Sequence, residues 1–168
     1  MDIKEIIELC SGKWFSQRTS FQSKTESSKA EITVEFLASD HPEIVKLCEK
    51  SQIKPEMTLG GSKTSWDNSV DWGKPKQTGH TLIVWIPETN HTANGQILRY
   101  LSQGQIYTKG QYSLGKDEAL TLSIDETNRH SEERISFASP NLRLRTNIVK
   151  LSDGTSQMAF YSEIRKVS

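Results

Sequence analysis

Arg143 and Arg145 stand two positions apart in Leu142-Arg143-Leu144-Arg145-Thr146, just after Glu132-Glu133-Arg134 and a Ser139-Pro140-Asn141 turn signal. Residues two apart on a strand share a face, so the two guanidiniums point together. Paired forks of this kind suit carboxylates. Arg18, Glu133 and Glu163 complete the polar set that could do chemistry. If the arginine face is the inside of a barrel, the set is a site for a ligand that carries carboxylates. If it is the outside, Leu142 and Leu144 face the core and the arginines form a solvated edge. Ordinary strand logic favours the second reading. A ligand-holding barrel, whose interior can be polar, allows the first.

Trp66 and Trp72 flank a turn and offer either core or lid packing, or flat apolar walls for a planar ligand. The four histidines (His41, His80, His91, His130) share no short spacing, and the chain has no CxxC, so no metal site is expected. None of the GxSxG, HExxH, GxxxxGK or GxGxxG motifs occurs, and the usual nucleophile and phosphate-loop chemistries find no support. Cys10 and Cys48 fall on apolar stripes of predicted helices and read as buried structural thiols.

The elements that must position these residues are mostly strands. Ile3, Ile6, Ile7 and Cys10 have helical spacing over residues 2–11. A second, shorter helix opens at Asp40-His41-Pro42-Glu43, with Asp40 as the expected N-cap. Strands are expected at 13–20, 30–37 (Ile32, Val34 and Phe36 on one face, with a polar hairpin tip at 24–29), 57–66, 71–72, 81–86, 95–102, 106–114, 119–125, 133–137, 141–151 and 157–166. Turn signals include Gly60-Gly61, Asn94-Gly95 and Asp153-Gly154. Many strands at a spacing near ten residues suggest an antiparallel up-and-down barrel rather than a βαβ sheet.

With 168 residues the chain fits one domain, 1–168, large enough to bury a real core. Lys+Arg and Asp+Glu are both 21, which argues against nucleic acid or an anionic membrane as the main partner. No apolar run approaches the roughly 20 residues of a membrane-spanning helix. The charged start Met1-Asp2-Ile3-Lys4-Glu5 lacks a secretory h-region, and the cysteine usage fits a reducing compartment such as the cytoplasm.

Three blocks carry a family resemblance. Gly12-Lys13-Trp14-Phe15-Ser16-Gln17-Arg18-Thr19-Ser20 resembles the opening motif of the S-type phycobiliprotein lyases, the CpcS/CpeS family. Glu132-Glu133-Arg134 with Phe137-Ala138-Ser139-Pro140-Asn141-Leu142-Arg143-Leu144-Arg145-Thr146 is similar to its second block, and Ser162-Glu163-Ile164-Arg165 to its C-terminal one. The resemblance runs through nearly the whole chain in order. It implies a lipocalin-like antiparallel barrel, related in shape to fatty-acid-binding proteins, with a small helical cap. It also implies an activity: attaching a free phycobilin (phycocyanobilin or phycoerythrobilin), a linear tetrapyrrole, by a thioether bond to a cysteine of an apo-phycobiliprotein subunit, typically the central cysteine of a β chain. No cofactor is implied beyond the bilin substrate. The compartment would be the cytoplasm of a cyanobacterium, or the plastid stroma if the host is an alga.

Under that resemblance Arg143, Arg145 and Arg18 hold the propionates, and Trp66 and Trp72 wall the macrocycle. Glu133 holds the pyrrole nitrogens and favours a protonated, more electrophilic bilin, while Glu163 is a second acid for proton transfer. The thiol comes from the acceptor, so the chain needs no nucleophile of its own. If Phe137 pairs with Asn141, Glu133 falls opposite Arg145, and Glu133, Arg143 and Arg145 share a face; a register of the other parity separates them. With the arginines inward, Leu142 and Leu144 turn outward, toward a homodimer surface or a covering helix. The competing readings are a non-catalytic bilin or lipid carrier of lipocalin type and an assembly factor that binds the acceptor without bilin.

Overall fold

The turn signals separate ten antiparallel strands in a computed structural model that describes residues 1–167. In chain order the elements are α1 (Ile3–Cys10), β1 (Gly12–Phe21), β2 (Thr25–Leu37), α2 (Pro42–Lys50), a 3₁₀ turn (Pro55–Met57), β3 (Gly61–Asp67), β4 (Thr78–Pro87), β5 (Asn94–Leu101), β6 (Ile106–Leu114), β7 (Leu120–Glu126), β8 (Arg129–Ser139), β9 (Leu142–Leu151) and β10 (Ser156–Arg165). Each strand pairs with its sequence neighbours, and β1 pairs with β10 to close the barrel. Closure leaves no strand edge to template aggregation. The fold is the expected mostly-β, up-and-down barrel with an N-terminal helix and one further short helix.

α1 forms because its apolar residues recur at helical spacing behind an N-cap: the Asp2 side chain accepts from the Glu5 N–H at 2.9 Å. Its buried face, Ile3, Ile6, Ile7 and Cys10, packs with Trp14, Ile32, Trp85 and Ile135 as a floor across one end of the barrel. Burying the three isoleucines contributes on the order of 6 kcal/mol. α2 instead covers the outside of β4 and β5, where Ile44, Leu47 and Cys48 meet Leu82, Val84 and Leu98. A second outer face, on β1, β10 and β9, carries Phe21, Met158, Phe160 and Ile164 in the open. Among the described residues no helix lies over it.

Some expected boundaries move. The N-cap of α2 is His41, whose Nδ1 accepts from the Glu43 N–H, not Asp40, because Pro42 takes the first helical position. β2 starts at Thr25, so residues 25–29 are strand and the hairpin tip is shorter than expected. Phe36 is exposed although Ile32 and Val34 are buried; at the strand end Leu37 turns into the α2 cluster instead. Met57 closes the 3₁₀ turn and β3 begins only at Gly61. Residues 71–72 lie in the loop between β3 and β4, which is tied by Asn68 to Pro75 and Gln77.

Candidate functional site

The register places the polar set in rows across four adjacent strands. Ser16 on β1 pairs with Glu163 on β10, which pairs with Arg143 on β9. One step toward the open end, Arg18 pairs with Tyr161 and Tyr161 with Arg145. One step further, Asn147 on β9 pairs with Glu133 on β8. All of these positions share the parity of buried Trp14 and Ile135, so the set faces the lumen and the solvated-edge reading of the arginines fails. Phe137 pairs with Arg143 rather than with Asn141, because the chain turns tightly at Pro140-Asn141 and a bulge absorbs Ala138. The register moves by two residues from the expected one. The parity survives, and Glu133, Arg143 and Arg145 share one face.

Glu163 is the hub. It is 0 % exposed and Arg143 only 4 %. Glu163 Oε1 accepts from Arg143 Nε at 2.8 Å and Arg145 Nε at 2.7 Å, and Oε2 accepts from Arg145 Nη2 at 3.0 Å. Burial alone would raise the Glu163 pKa, but Arg145, Arg143 and a hydrogen bond from Ser16 outweigh it and hold the carboxyl below the usual carboxylate range. Burial works against the charge of Arg145, yet Glu163 and Glu133 keep its pKa above the ordinary arginine value. Arg145 Nη1 reaches Glu133 Oε1 at 2.6 Å. Glu133 is 24 % exposed, and Oε1 takes its one hydrogen bond among the described residues. Oε2 remains available on the lumen wall. Two guanidiniums and two carboxylates make the quartet neutral as a whole.

Arg18 differs from the other arginines. It forms no ion pair among the described residues, and its guanidinium lies 5.9 Å from the Tyr161 ring centroid; Arg145 lies 4.1 Å from the same ring. Trp66 lines the lumen on the facing wall, laid across Gly79, where a Cβ would come 2.5 Å from Trp66 Cζ2. Trp72 is not brought into the site: it is 90 % exposed at the tip of the β3–β4 loop, because Asp71 folds back to accept from the Lys29 N–H and turns the tip outward. Glu163, the second acid of the expected site, lies in the lumen wall with both oxygens accepting from guanidiniums. Tyr161 and Ser16 were missed by sequence reasoning, yet they stand two positions from Glu163 and Arg18, the spacing that singled out the arginine pair.

The lumen holds a cavity of about 660 Å³, reaching from Ile7 and Cys10 at the floor to Asn68, Asp71 and Lys74 at the mouth. That size suits a ligand pocket. Burial pushes the Cys10 thiol pKa up against the pull of Arg143, so the thiol on the cavity floor stays protonated. No cluster of metal-ligating residues occurs among the described residues.

The profile of the CpeS-like protein family matches residues 2–166. A chromophore lyase CpcS/CpeS of Thermosynechococcus vestitus is 40 % identical, covering 98 % of this chain and 93 % of its own. A second, from Synechocystis sp., is 39 % identical over 99 % and 92 %. The phycocyanobilin lyase subunit CpcS of Picosynechococcus sp. is 31 % identical over 98 % and 86 %. Among solved structures, the S-type phycobiliprotein lyase CPES from Guillardia theta aligns with a TM-score of 0.85 at 25 % identity, covering 100 % of this chain and 94 % of that one. By sequence and by fold together, the chain belongs to the CpcS/CpeS family of chromophore lyases.

Proposed function

We propose that the chain takes a free phycobilin, phycocyanobilin or phycoerythrobilin, into its lumen and attaches it by a thioether bond to a cysteine of an apo-phycobiliprotein subunit, the central β-subunit cysteine being the favoured acceptor. The observation that carries this reading is the neutral quartet at the base of a tetrapyrrole-sized cavity, with one carboxylate oxygen, Glu133 Oε2, left for a ligand. Glu133 would accept from the pyrrole N–H groups and stabilise the protonated bilin, which makes the ethylidene carbon more electrophilic. The acceptor thiol then adds: one C–S bond forms, the exocyclic π bond is lost, the thiol proton passes to the tetrapyrrole, and nothing leaves. Arg18, the unmatched cation of the set, would take a propionate, with Arg143 and Arg145 sharing donors not used on Glu163. Trp66 would lie against the macrocycle, and Trp72 would reach it only if the β3–β4 loop folds over the mouth. Glu163 fits a positioning role better than proton transfer.

The test is transfer. The protein is mixed with phycocyanobilin or phycoerythrobilin and an apo β subunit, and bilin bound to the acceptor after acid denaturation is measured above the protein-free background. Transfer that is lost in Glu133→Gln supports the reading. A shifted bilin spectrum without transfer to any offered acceptor supports the carrier, and neither binding nor transfer overturns both. The compartment that accompanies this reading is the cyanobacterial cytoplasm or an algal plastid stroma.

A second copy of the chain is the partner we assign to the bare face of β1, β10 and β9. Three strands of this length present about 450 Å², somewhat under the roughly 800 Å² per partner of a standard interface, so a dimer would have to add its polar rim. Sedimentation of Phe160→Glu as a monomer beside a dimeric parent would support it, and a monomeric parent would remove it.

A further inference from the structure

Arg165 does work at the floor that the lyase chemistry above leaves unused. It sits on β10 two residues beyond Glu163 and opposite Trp14. Its Nη1 donates to the Ser11 carbonyl at 2.7 Å and its Nη2 to the carbonyls of Leu9 at 2.7 Å and Pro140 at 3.0 Å. Its Nε donates to Asn141 Oδ1 at 3.2 Å. These four bonds join three segments: the end of α1, the β8–β9 turn and β10. α1 has no basic residue in its own last turn, so Arg165 supplies the cation its C-terminal carbonyls favour. Gly12 makes room for it, because a Cβ there would come 2.7 Å from Arg165 Nη1.

The same guanidinium lies 4.2 Å from the Trp14 ring, and Arg143 lies 5.0 Å from that ring. Trp14 is fully buried and donates its Nε1–H to the Cys10 carbonyl at 2.9 Å. An indole fixed at one end by α1 and flanked by two guanidiniums leaves Arg143 little freedom. Arg143 in turn holds Glu163, and Glu163 holds Arg145.

We propose that Arg165 is a positioning residue for the lyase reaction: by clasping α1 to the β8–β9 turn it sets Trp14, and through Trp14 the orientation of Arg143 and the quartet above it. A lysine keeps the charge but cannot serve four acceptors spread over two segments. Arg165 does not reach the lumen cavity itself, so its effect passes to the bilin only through the quartet.

Two arms test this, and only the second rests on the bilin-lyase reading. In the first, exchange of the Arg143 and Arg145 Nε–H protons is followed by NMR without bilin in the parent and in Arg165→Lys. The Arg143 proton should exchange about tenfold faster in the variant, with circular dichroism unchanged; an unchanged rate overturns the clasp. If Arg165→Lys does not fold, Asn141→Ala, which cuts one of the four bonds, must still speed that proton about threefold, and no change overturns it. In the second arm, Arg165→Lys should lower kcat for transfer about tenfold while KM for bilin stays within about threefold, and should alter the absorption band of the bound bilin. Lys166→Gln, on the neighbouring exposed residue, should do neither. A variant that loses only thermal stability, with kcat and band intact, overturns the positioning role. A parent that transfers no bilin removes the lyase reading while the exchange arm still decides the clasp.

Discussion

Replacing Glu163 with glutamine separates the two carboxylates of the quartet. The side chain keeps its shape, but one oxygen becomes an amide NH₂ that faces guanidinium donors, and the negative charge is gone. Arg143 and Arg145, now buried with Glu133 as their one remaining carboxylate, lose three charge-assisted bonds of 2.7–3.0 Å. Removing one partner of a buried ion pair costs about 3–5 kcal/mol. Glu133 still neutralises part of the site, so the lower figure applies. For a chain of this length 1 kcal/mol moves Tm by roughly 2–4 °C, so Glu163→Gln should melt about 6–12 °C lower. Glu133 has one bond and partial solvent access, and Glu133→Gln should cost about 1 kcal/mol, roughly 2–4 °C. The pH dependence follows from the sign of the shift. Glu163 titrates below its unfolded value, so its contribution is complete above the unfolded carboxylate pKa of about 4.3 and fades as pH falls through the lower folded value. Thermal unfolding by circular dichroism at pH 7, repeated at falling pH, should show a gap between parent and Glu163→Gln that is constant near neutrality and closes only in acid. A Glu163→Gln variant that melts within about 2 °C of the parent at pH 7, or a gap that closes by pH 6, would refute the assignment of Glu163 as the structural anion.

Three further outcomes follow from the same geometry. Arg18→Ala should weaken bilin binding about ten- to a hundredfold, the loss of one charge-assisted bond, while Tm is unchanged; equal affinity in a titration would move the propionate elsewhere. Gly79→Ala should push the Trp66 indole off its bed and cost about 1–3 kcal/mol, read as a lower Tm together with a changed bilin spectrum. Cys10 and Cys48 are both buried, with thiol pKa raised by burial, so neither should react with iodoacetamide in the folded protein at pH 8, and both should after denaturation. Rapid labelling of native Cys10 would show a reactive thiolate on the cavity floor.

Alternation was enough to put Arg143 and Arg145 on one face, because a strand repeat of two fixes parity within β9, but whether Glu133 joins them depends on the register across the β8–β9 turn. It could not choose inside from outside: Leu142 and Leu144 make an equally good core stripe until closure of ten strands shows which side is concave. The offset of two residues combines a tight turn at Pro140-Asn141, which moves the pairing by three, with a bulge at Ala138, which takes one back and restores the parity; no composition signal marks that bulge. Trp72 looked like a wall from its residue type alone. Its exposure is decided by a long-range bond from Lys29 to Asp71, which sequence spacing does not record. Arg165 was visible as part of a sequence block, but three of its four acceptors are backbone carbonyls, the farthest 156 positions away.

Because β1 pairs with β10, the wall that carries the quartet is assembled across the seam between β1 and β10, the first and last strands. Ser16 and Glu163 are cross-strand neighbours separated by 147 positions (163 − 16). During synthesis Arg143 and Arg145 are made before their main counter-anion, and the quartet is incomplete until the last strand docks. Contacts this distant are slow to form, so competence to hold a pigment arrives at the end of folding. A chain stalled before β10 would carry one unmatched cationic charge where the finished protein has a neutral cradle, and would be unable to hold a reactive pigment that it could not yet deliver.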